Sequence, residues 1–127
     1  MPRILIVDDS PTESFKISGV LKRHGHEVLA AESGEQALQV ARDSKPDLIL
    51  MDIVMPGLNG FQATRQLTRD PATSAIPVVM LTAKSQDEDV LTGYKEGAEY
   101  YITKPCTARD LVYGIRLVLG THQMAGC

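Results

Sequence analysis

Charged and hydroxyl side chains follow four of the five short apolar runs in this sequence. In chain order they are Asp8 and Asp9 after the first run, Asp52 after the third, Thr82 after the fourth and, one residue beyond the fifth, Lys104. Carboxylates, a hydroxyl and an ammonium group in one site can supply a nucleophile and neutralise the oxygens of a transferring phosphoryl group. The pattern therefore predicts phosphoryl-transfer chemistry, provided that these run ends meet in the fold.

The three carboxylates suggest two different roles. Three negative charges in a small site repel one another, so a counter-charge is required. Mg²⁺ suits a site with few carboxylates, several waters and room for phosphate oxygens. Asp52 is the candidate nucleophile because it stands alone at the end of a central strand, whereas the adjacent Asp8 and Asp9 can hold the metal ion.

Each of these residues also has a structural interpretation. Asp8 and Asp9 could cap the helix that follows them, although the next residue, a serine, is already suited to that role. Asp52 could belong to a turn. Thr82 and Lys104, each taken alone, are better explained as a strand end and a solvated charge. Their joint occurrence at consistent strand ends favours the functional interpretation.

The apolar runs themselves predict the strands of a parallel sheet. Four of the five are continuous rather than alternating, which is typical of strands buried on both faces. The runs are Ile4–Val7, Val28–Ala31, Leu48–Met51, Val78–Leu81 and Tyr100–Ile102.

Polar segments with helical spacing separate the runs and predict five helices. The first opens with Ser10–Glu13, a capping box with proline at the first helical position. The others are expected over residues 34–44, from Gly60 onward, over about 86–96 and over about 108–119. Strict alternation of strands and helices predicts a doubly wound, flavodoxin-like α/β fold with strand order 2-1-3-4-5. Residues 1–120 would form the domain, and 121–127 a disordered tail.

Composition excludes several classes of function. The chain of 127 residues has a formal net charge of −3 and no cluster of basic residues, which argues against direct binding of nucleic acid. Its apolar runs are strand-sized, far short of the roughly 20 residues that a membrane-spanning helix needs. The two cysteines lack metal or redox spacing, so a reducing, cytoplasmic location is expected.

Together these residues resemble the receiver domain of bacterial two-component response regulators. The resemblance rests on Asp8-Asp9, on Asp52 within Leu-Met-Asp-Ile-Val-Met-Pro-Gly-Leu-Asn-Gly, on Thr82-Ala83 and on Lys104-Pro105. It implies that Asp52 is the phosphoacceptor. It also implies that Asp8, Asp9, Asp52 and the backbone carbonyl of Val54 hold Mg²⁺, and that Thr82 and Lys104 contact the phosphoryl oxygens.

The resemblance also implies partners and a switch. Tyr101, three residues before Lys104, matches the switch aromatic of the family. A sensor histidine kinase or a phosphotransfer protein would donate the phosphoryl group. The segment from Asp52 to Leu67 is similar to stand-alone regulators of twitching motility and type IV pili.

Two surfaces are candidates for partner binding. Phe15 is predicted to be exposed on the first helix, where it could dock the phosphodonor or be an ordinary surface residue. The second surface, here called the output face, is formed by the fourth helix, fifth strand and fifth helix. It comprises Val90, Tyr101, Tyr113 and Leu117, and could bind a partner protein or a second copy of the chain.

Three rival interpretations remain open at this level. A receiver that signals without phosphate is disfavoured because all five site residues are present. A nucleotide-binding oxidoreductase or an aspartate-dependent phosphohydrolase is disfavoured because no phosphate-binding glycine loop follows the first strand and no cap domain is expected that could hold a substrate. The third is a receiver that belongs to a larger regulator with a DNA-binding or enzymatic output.

Overall fold

A computed structural model of the chain describes residues 2–53, 57–82, 97–103 and 107–125. Five parallel strands form one sheet with the order β2-β1-β3-β4-β5, which confirms the predicted topology. The strands are β1 (Arg3–Val7), β2 (Glu27–Ala31), β3 (Leu48–Asp52), β4 (Val78–Thr82) and β5 (Tyr100–Thr103). The order reverses at β1, so β1 and β3 are neighbours and the crevice beside them is the expected ligand site.

Four helices lie within the described residues. They are α1 (Pro11–Arg23), α2 (Gly34–Ser44), α3 (Gly60–Arg69) and α4 (Ala108–Ala125). The first three begin where the sequence predicts, and α4 corresponds to the fifth predicted helix. The predicted fourth helix, over residues 86–96, lies outside the described part of the chain.

The C-terminal helix is longer than predicted. Helix α4 continues to Ala125, so the expectation of a disordered tail is wrong for residues 121–125. The segment His122–Ala125 contains glutamine, methionine and alanine, which favour helix strongly enough to carry it past Gly120.

Both faces of the sheet are covered by helices, as continuous apolar strands require. On one face, residues of β1, β3 and β4 pack with Ala37 and Ala41 of α2 and with Ala63 and Leu67 of α3. On the other face, alternate residues of the same strands pack with the helices α1 and α4. A fully buried leucine or isoleucine contributes about 1.5–3 kcal/mol, so the two cores hold the strand ends in a fixed arrangement.

Side-chain caps fix the points at which the helices begin. Ser10 accepts a hydrogen bond from the backbone N–H of Glu13, and Ser33 does the same for Gln36. Asn59 and Gln62 form a full capping box at the start of α3. Each cap satisfies a backbone N–H that has no partner inside its helix. The Ser10 cap lies two residues after Asp8, and the Asn59 cap begins the helix that follows β3, whose last residue is Asp52.

In the part of the chain that the structure describes, no helix is both long and apolar enough to cross a membrane.

Candidate functional site

Three carboxylates meet at the carboxyl edge of the sheet. Asp52 is the last residue of β3, and Asp8 and Asp9 follow β1, its neighbour. One carboxylate oxygen from each residue lies within 4.8 Å of the corresponding oxygens of the other two. Asp8 is only 3% exposed and Asp52 9%, whereas Asp9 is exposed. The predicted cluster is therefore present, with two buried members and one facing solvent.

Asp8 has a structural role in addition to its place in the cluster. Its Oδ1 accepts a hydrogen bond of 2.9 Å from the backbone N–H of Ser10. In a complete capping box Glu13 would accept this bond, but the short connection between β1 and α1 brings Asp8 closer. The sequence pattern predicts a capping box of Ser10 and Glu13, with capping by Asp8 as an alternative. In the structure Ser10 accepts the N–H of Glu13 and Asp8 accepts the N–H of Ser10, which orients the carboxylate of Asp8 at the site.

The start of α3 packs directly against the backbone of Asp52. The N–H of Gly60 donates a hydrogen bond of 3.0 Å to the carbonyl of Ile53. A Cβ atom at position 60 would collide with the carbonyl oxygen of Asp52 and lie 2.8 Å from the Cα of Ile53. Only glycine permits this approach, so Gly60 helps to determine the position of the Asp52 backbone.

A carboxylate on α2 holds the segment that leads from β3 into α3. Oε1 of Glu35 accepts a hydrogen bond of 3.2 Å from the N–H of Leu58. Gly57 has a φ of +73°, and a Cβ atom there would lie 3.3 Å from the same carboxylate oxygen. Motifs and periodicity do not predict this hydrogen bond, because it joins residues that are 23 positions apart.

The remaining predicted site residues are only partly covered by the structure. Thr82 is the last residue of β4, and its neighbour Leu81 is paired with Asp52, so its backbone lies at the same sheet edge. Its side chain is not among the described atoms. Val54 and Lys104 lie outside the described residues, and their roles stay predictions. Thr103, immediately before Lys104, is paired with Thr82.

The carboxylate cluster has the chemistry of a site for a hard divalent cation. Around an octahedral Mg²⁺, with each ligand about 2.1 Å from the ion, neighbouring oxygens lie about 3 Å apart and opposite ones about 4.2 Å. The three carboxylate oxygens lie within 4.8 Å of one another, so side-chain movements of about 1–2 Å would bring them to these spacings. Asp8 and Asp52 are buried, and a bound cation would offset the repulsion between their carboxylates. The residues present therefore fit a cation such as Mg²⁺.

Comparison with known proteins agrees with this geometry. The sequence profile described as "Response regulator receiver domain" matches residues 4–116, which is most of the chain. The chain belongs to the response regulator receiver domain family. This family is a signalling family, and the receiver fold accounts for the position of the three carboxylates at the switch in strand order.

Individual relatives of this receiver fall into two groups. It is 57% identical to protein PilH of Pseudomonas aeruginosa over 119 residues, which is 94% of this chain and 98% of PilH. It is 45% identical to the phosphate regulon transcriptional regulatory protein PhoB of the same organism, covering 91% of this chain but only 51% of PhoB. The second alignment shows that related receivers also occur within longer proteins.

Solved structures share the architecture of this receiver. A putative response regulator from Chloroflexus aurantiacus superposes with a TM-score of 0.90 at 34% identity and covers 94% of this chain and 98% of its own. The chemotaxis protein CheY4 of Vibrio cholerae gives 0.89 at 30% identity, covering 93% and 98%.

The structure also locates most of the predicted surface residues of the receiver. Phe15 is 81% exposed on α1, as predicted. On α4, Tyr113 is 63% exposed and Leu117 46%, while Leu111, Ile115 and Val118 are buried as the helical periodicity requires. Tyr101 is half-buried against the core that contains α2 and α3. Val90 lies outside the described residues.

Proposed function

We propose that this receiver accepts a phosphoryl group on Asp52 and transmits the signal through a change of its surface. The observation that carries the proposal is the carboxylate cluster, in which oxygens of Asp8, Asp9 and Asp52 lie within 4.8 Å of one another. Asp52 is the nucleophile because it ends the central strand β3. Asp8 is already committed to the N–H of Ser10.

In the proposed reaction a carboxylate oxygen of Asp52 attacks phosphorus in line with the bond that breaks. A new O–P bond forms as the N–P bond of a phosphohistidine breaks, or the O–P bond of a small acyl phosphate. The leaving group keeps the electron pair: an imidazole leaving group takes a proton from solvent, whereas the carboxylate of an acyl phosphate leaves as the anion. Hydrolysis later returns the free carboxylate and inorganic phosphate. We propose that the chain catalyses only its own phosphorylation and dephosphorylation.

Asp8, Asp9 and Asp52 would hold Mg²⁺, together with the backbone carbonyl of Val54. When bound, the ion would neutralise the negative charge that the carboxylates and the phosphoryl oxygens bring together. Thr82 and Lys104 would contact the phosphoryl oxygens, the first as a hydroxyl donor and the second as a positive charge. Support for Thr82 is its backbone position beside the end of β3.

A sensor histidine kinase or a phosphotransfer protein is the proposed phosphodonor, and it would dock beside Phe15. Next to Asp8 the surface forms a groove of about 280 Å³ between α1 and β2. Its lining includes Pro11, Phe15, Val28 and Ala30. An exposed aromatic ring beside the reactive edge offers apolar contact to a donor helix without blocking Asp52.

The output face is the proposed readout of phosphorylation. Tyr101 lies on β5, at the edge of the sheet, and would become more buried when Thr82 moves toward the phosphoryl group. Tyr113 and Leu117 would join Val90 and Tyr101 in contacting a partner protein or a second copy of the chain. Sedimentation and pull-down of phosphorylated Tyr113→Glu and Leu117→Glu test this, and full retention of partner binding and self-association would place the output elsewhere.

The direct test is Phos-tag electrophoresis after incubation with acetyl phosphate and Mg²⁺. The parent is expected to give one shifted band that disappears with EDTA. Asp52→Asn should give none, whereas Asp43→Asn, which removes an exposed carboxylate of α2, should behave like the parent. A shifted band of parental intensity in Asp52→Asn would refute the assignment of the nucleophile.

We also propose a role in twitching motility, because the segment from Asp52 to Leu67 is similar to stand-alone regulators of type IV pili and the chain is 57% identical to PilH over nearly all of both chains. A cytoplasmic location is proposed because the two cysteines lack metal or redox spacing. The alternative is that the receiver belongs to a larger regulator with a DNA-binding or enzymatic output. The match to half of PhoB favours this alternative. The mass of the protein in the native cell, and the length of the reading frame in its transcript, distinguish a stand-alone receiver from a receiver within a larger regulator.

A further inference from the structure

A groove of about 450 Å³ runs between the end of α1 and the exposed side of α4, and its lining includes none of the three carboxylates of the cluster. Its lining consists of His24, Ala108, Arg109, Val112, Tyr113 and Arg116. Within this lining there are two arginines and a histidine but no aspartate or glutamate, although the whole chain carries a net charge of −3. The groove is therefore a local positive surface on an acidic protein.

The side chains of the groove have a regular spacing. Arg109 and Arg116 are seven residues apart on α4, so they lie on the same side of the helix with about 10.5 Å between them along its axis. Tyr113 lies between them and is 63% exposed. The order along the helix is thus positive, aromatic, positive. Val112 forms part of the floor and is 8% exposed.

One acidic residue, Asp110, adjoins Arg109 in the sequence but is not part of the lining. Its carboxylate accepts a hydrogen bond of 3.3 Å from the N–H of Thr107 and caps the start of α4. His24 donates from Nδ1 to the carbonyl of Val20 at 2.9 Å, which orients its ring and leaves Nε2 for contact with a ligand. The charges of His24 and Arg116 also add to burial in lowering the pKa of the nearby His26.

We propose that this groove, named here the α1–α4 groove, binds an acidic helical segment of a partner protein. Two carboxylates spaced two turns apart on that segment would pair with Arg109 and Arg116. An apolar side chain midway between them would rest on Tyr113 and Val112. Charge complementarity selects an acidic partner, and the floor of the groove between two helices suits an amphipathic helix. The lining does not include Phe15, but it shares Tyr113 with the proposed output face. Binding of the acidic segment is proposed to need no phosphorylation of Asp52.

The test uses a fluorescein-labelled, alanine-rich helical peptide with two glutamates two turns apart and a leucine midway between them. Fluorescence polarisation with the full chain is expected to give a Kd of about 0.1 mM at low salt. Arg109→Glu and Arg116→Glu should each weaken binding about tenfold, and Tyr113→Ala by a similar factor. Because all three side chains are exposed, the variants should fold, and circular dichroism verifies this.

The matched control is Arg69→Glu, the same change of charge on an exposed residue of α3. It should leave the Kd within about twofold of the parent. Equal weakening by Arg69→Glu and Arg116→Glu would mean that only net charge matters, and would overturn the proposal. Failure of the peptide to bind at about 1 mM would also overturn it. Dimerisation of the chain alone, lost in Arg116→Glu, would identify a second copy as the occupant and overturn the assignment of an acidic partner.

Discussion

Gly60, the first residue of α3, lies against the carbonyl oxygen of Asp52, so that a Cβ atom at position 60 would overlap with that oxygen. The contact connects the candidate phosphoacceptor to the start of a helix through backbone atoms alone. The N–H of Gly60 is also hydrogen-bonded to the carbonyl of Ile53 at 3.0 Å. Movement of α3 therefore moves the residue that is proposed to react.

Gly60→Ala should destabilise the receiver and slow its phosphorylation. The added methyl group forces α3 away from β3, which we expect to lower the free energy of unfolding by about 1–3 kcal/mol. Urea denaturation and the rate of phosphorylation by acetyl phosphate measure the two effects. Gly19→Ala is the control, because a Cβ atom there meets only the Arg23 side chain at 3.9 Å. It should stabilise α1 by about 0.5–1 kcal/mol.

Asp8→Asn should separate the two roles of Asp8. An asparagine oxygen can still accept the N–H of Ser10, so α1 should remain capped. The loss of one negative charge should weaken Mg²⁺ binding and raise stability in EDTA, because the remaining carboxylates repel each other less. Asp8→Ala should lose the cap as well, at a further cost of about 1 kcal/mol. Thermal denaturation with and without Mg²⁺ compares the variants. Equal stabilisation of the parent and Asp8→Asn by Mg²⁺ would contradict the metal assignment.

His26 should make folding stability depend on pH. Burial lowers the pKa of His26 from its usual 6.5, and the positive charges of His24 and Arg116 lower it further. Its Nδ1 is buried without a hydrogen-bond partner among the described residues. Below pH 6.5 the unfolded chain binds a proton at His26 more readily than the folded chain does. The contribution of neutral His26 to the free energy of unfolding is therefore fully present above pH 6.5 and decreases as the pH falls toward the lowered pKa.

Urea denaturation between about pH 7.5 and 5 measures this effect, which is limited to about 1.4 kcal/mol per pH unit for one proton. His26→Gln should flatten the dependence. His24→Gln should leave most of it, because burial is the larger cause of the lowered pKa. An unchanged slope in His26→Gln would assign the pH dependence to other groups.

Phe15→Ala should affect transfer between proteins but not the chemistry at Asp52. The ring is 81% exposed, so its removal should change stability by no more than about 0.5 kcal/mol. Phosphorylation by acetyl phosphate should proceed at the parental rate, while transfer from the cognate phosphohistidine protein should slow about tenfold or more. Stopped-flow or gel assays with both donors provide the comparison. Parental rates with both donors would make Phe15 an ordinary surface residue.

The strand ends can be predicted from the sequence because each strand is a short apolar run followed by a polar residue. In a parallel sheet these ends lie at one edge, so the positions of Asp8, Asp9 and Asp52 along the chain are enough to place them together. The helix starts are predictable for a similar reason, since capping depends on residues only three positions apart.

Contacts between distant segments are not predictable in this way. The bond between Glu35 and Leu58 depends on how α2 packs beside α3, and hydrophobic periodicity contains no information about it. Tyr113 is predicted on the output face, yet it also shares a groove with His24, because the rotation of α4 about its axis is set by packing against α1. The length of α4 is underestimated from the sequence because residues 121–127 lack helical periodicity.

The central claim is that Asp52 carries the phosphoryl group, and its most direct test is to identify the modified residue. The receiver is incubated with acetyl phosphate and Mg²⁺, the acyl phosphate is reduced with borohydride, and the peptides are sequenced by mass spectrometry. We predict that position 52 is converted to homoserine and that Asp8 and Asp9 are unchanged. Homoserine at position 8 or 9, with Asp52 unmodified, would contradict the account.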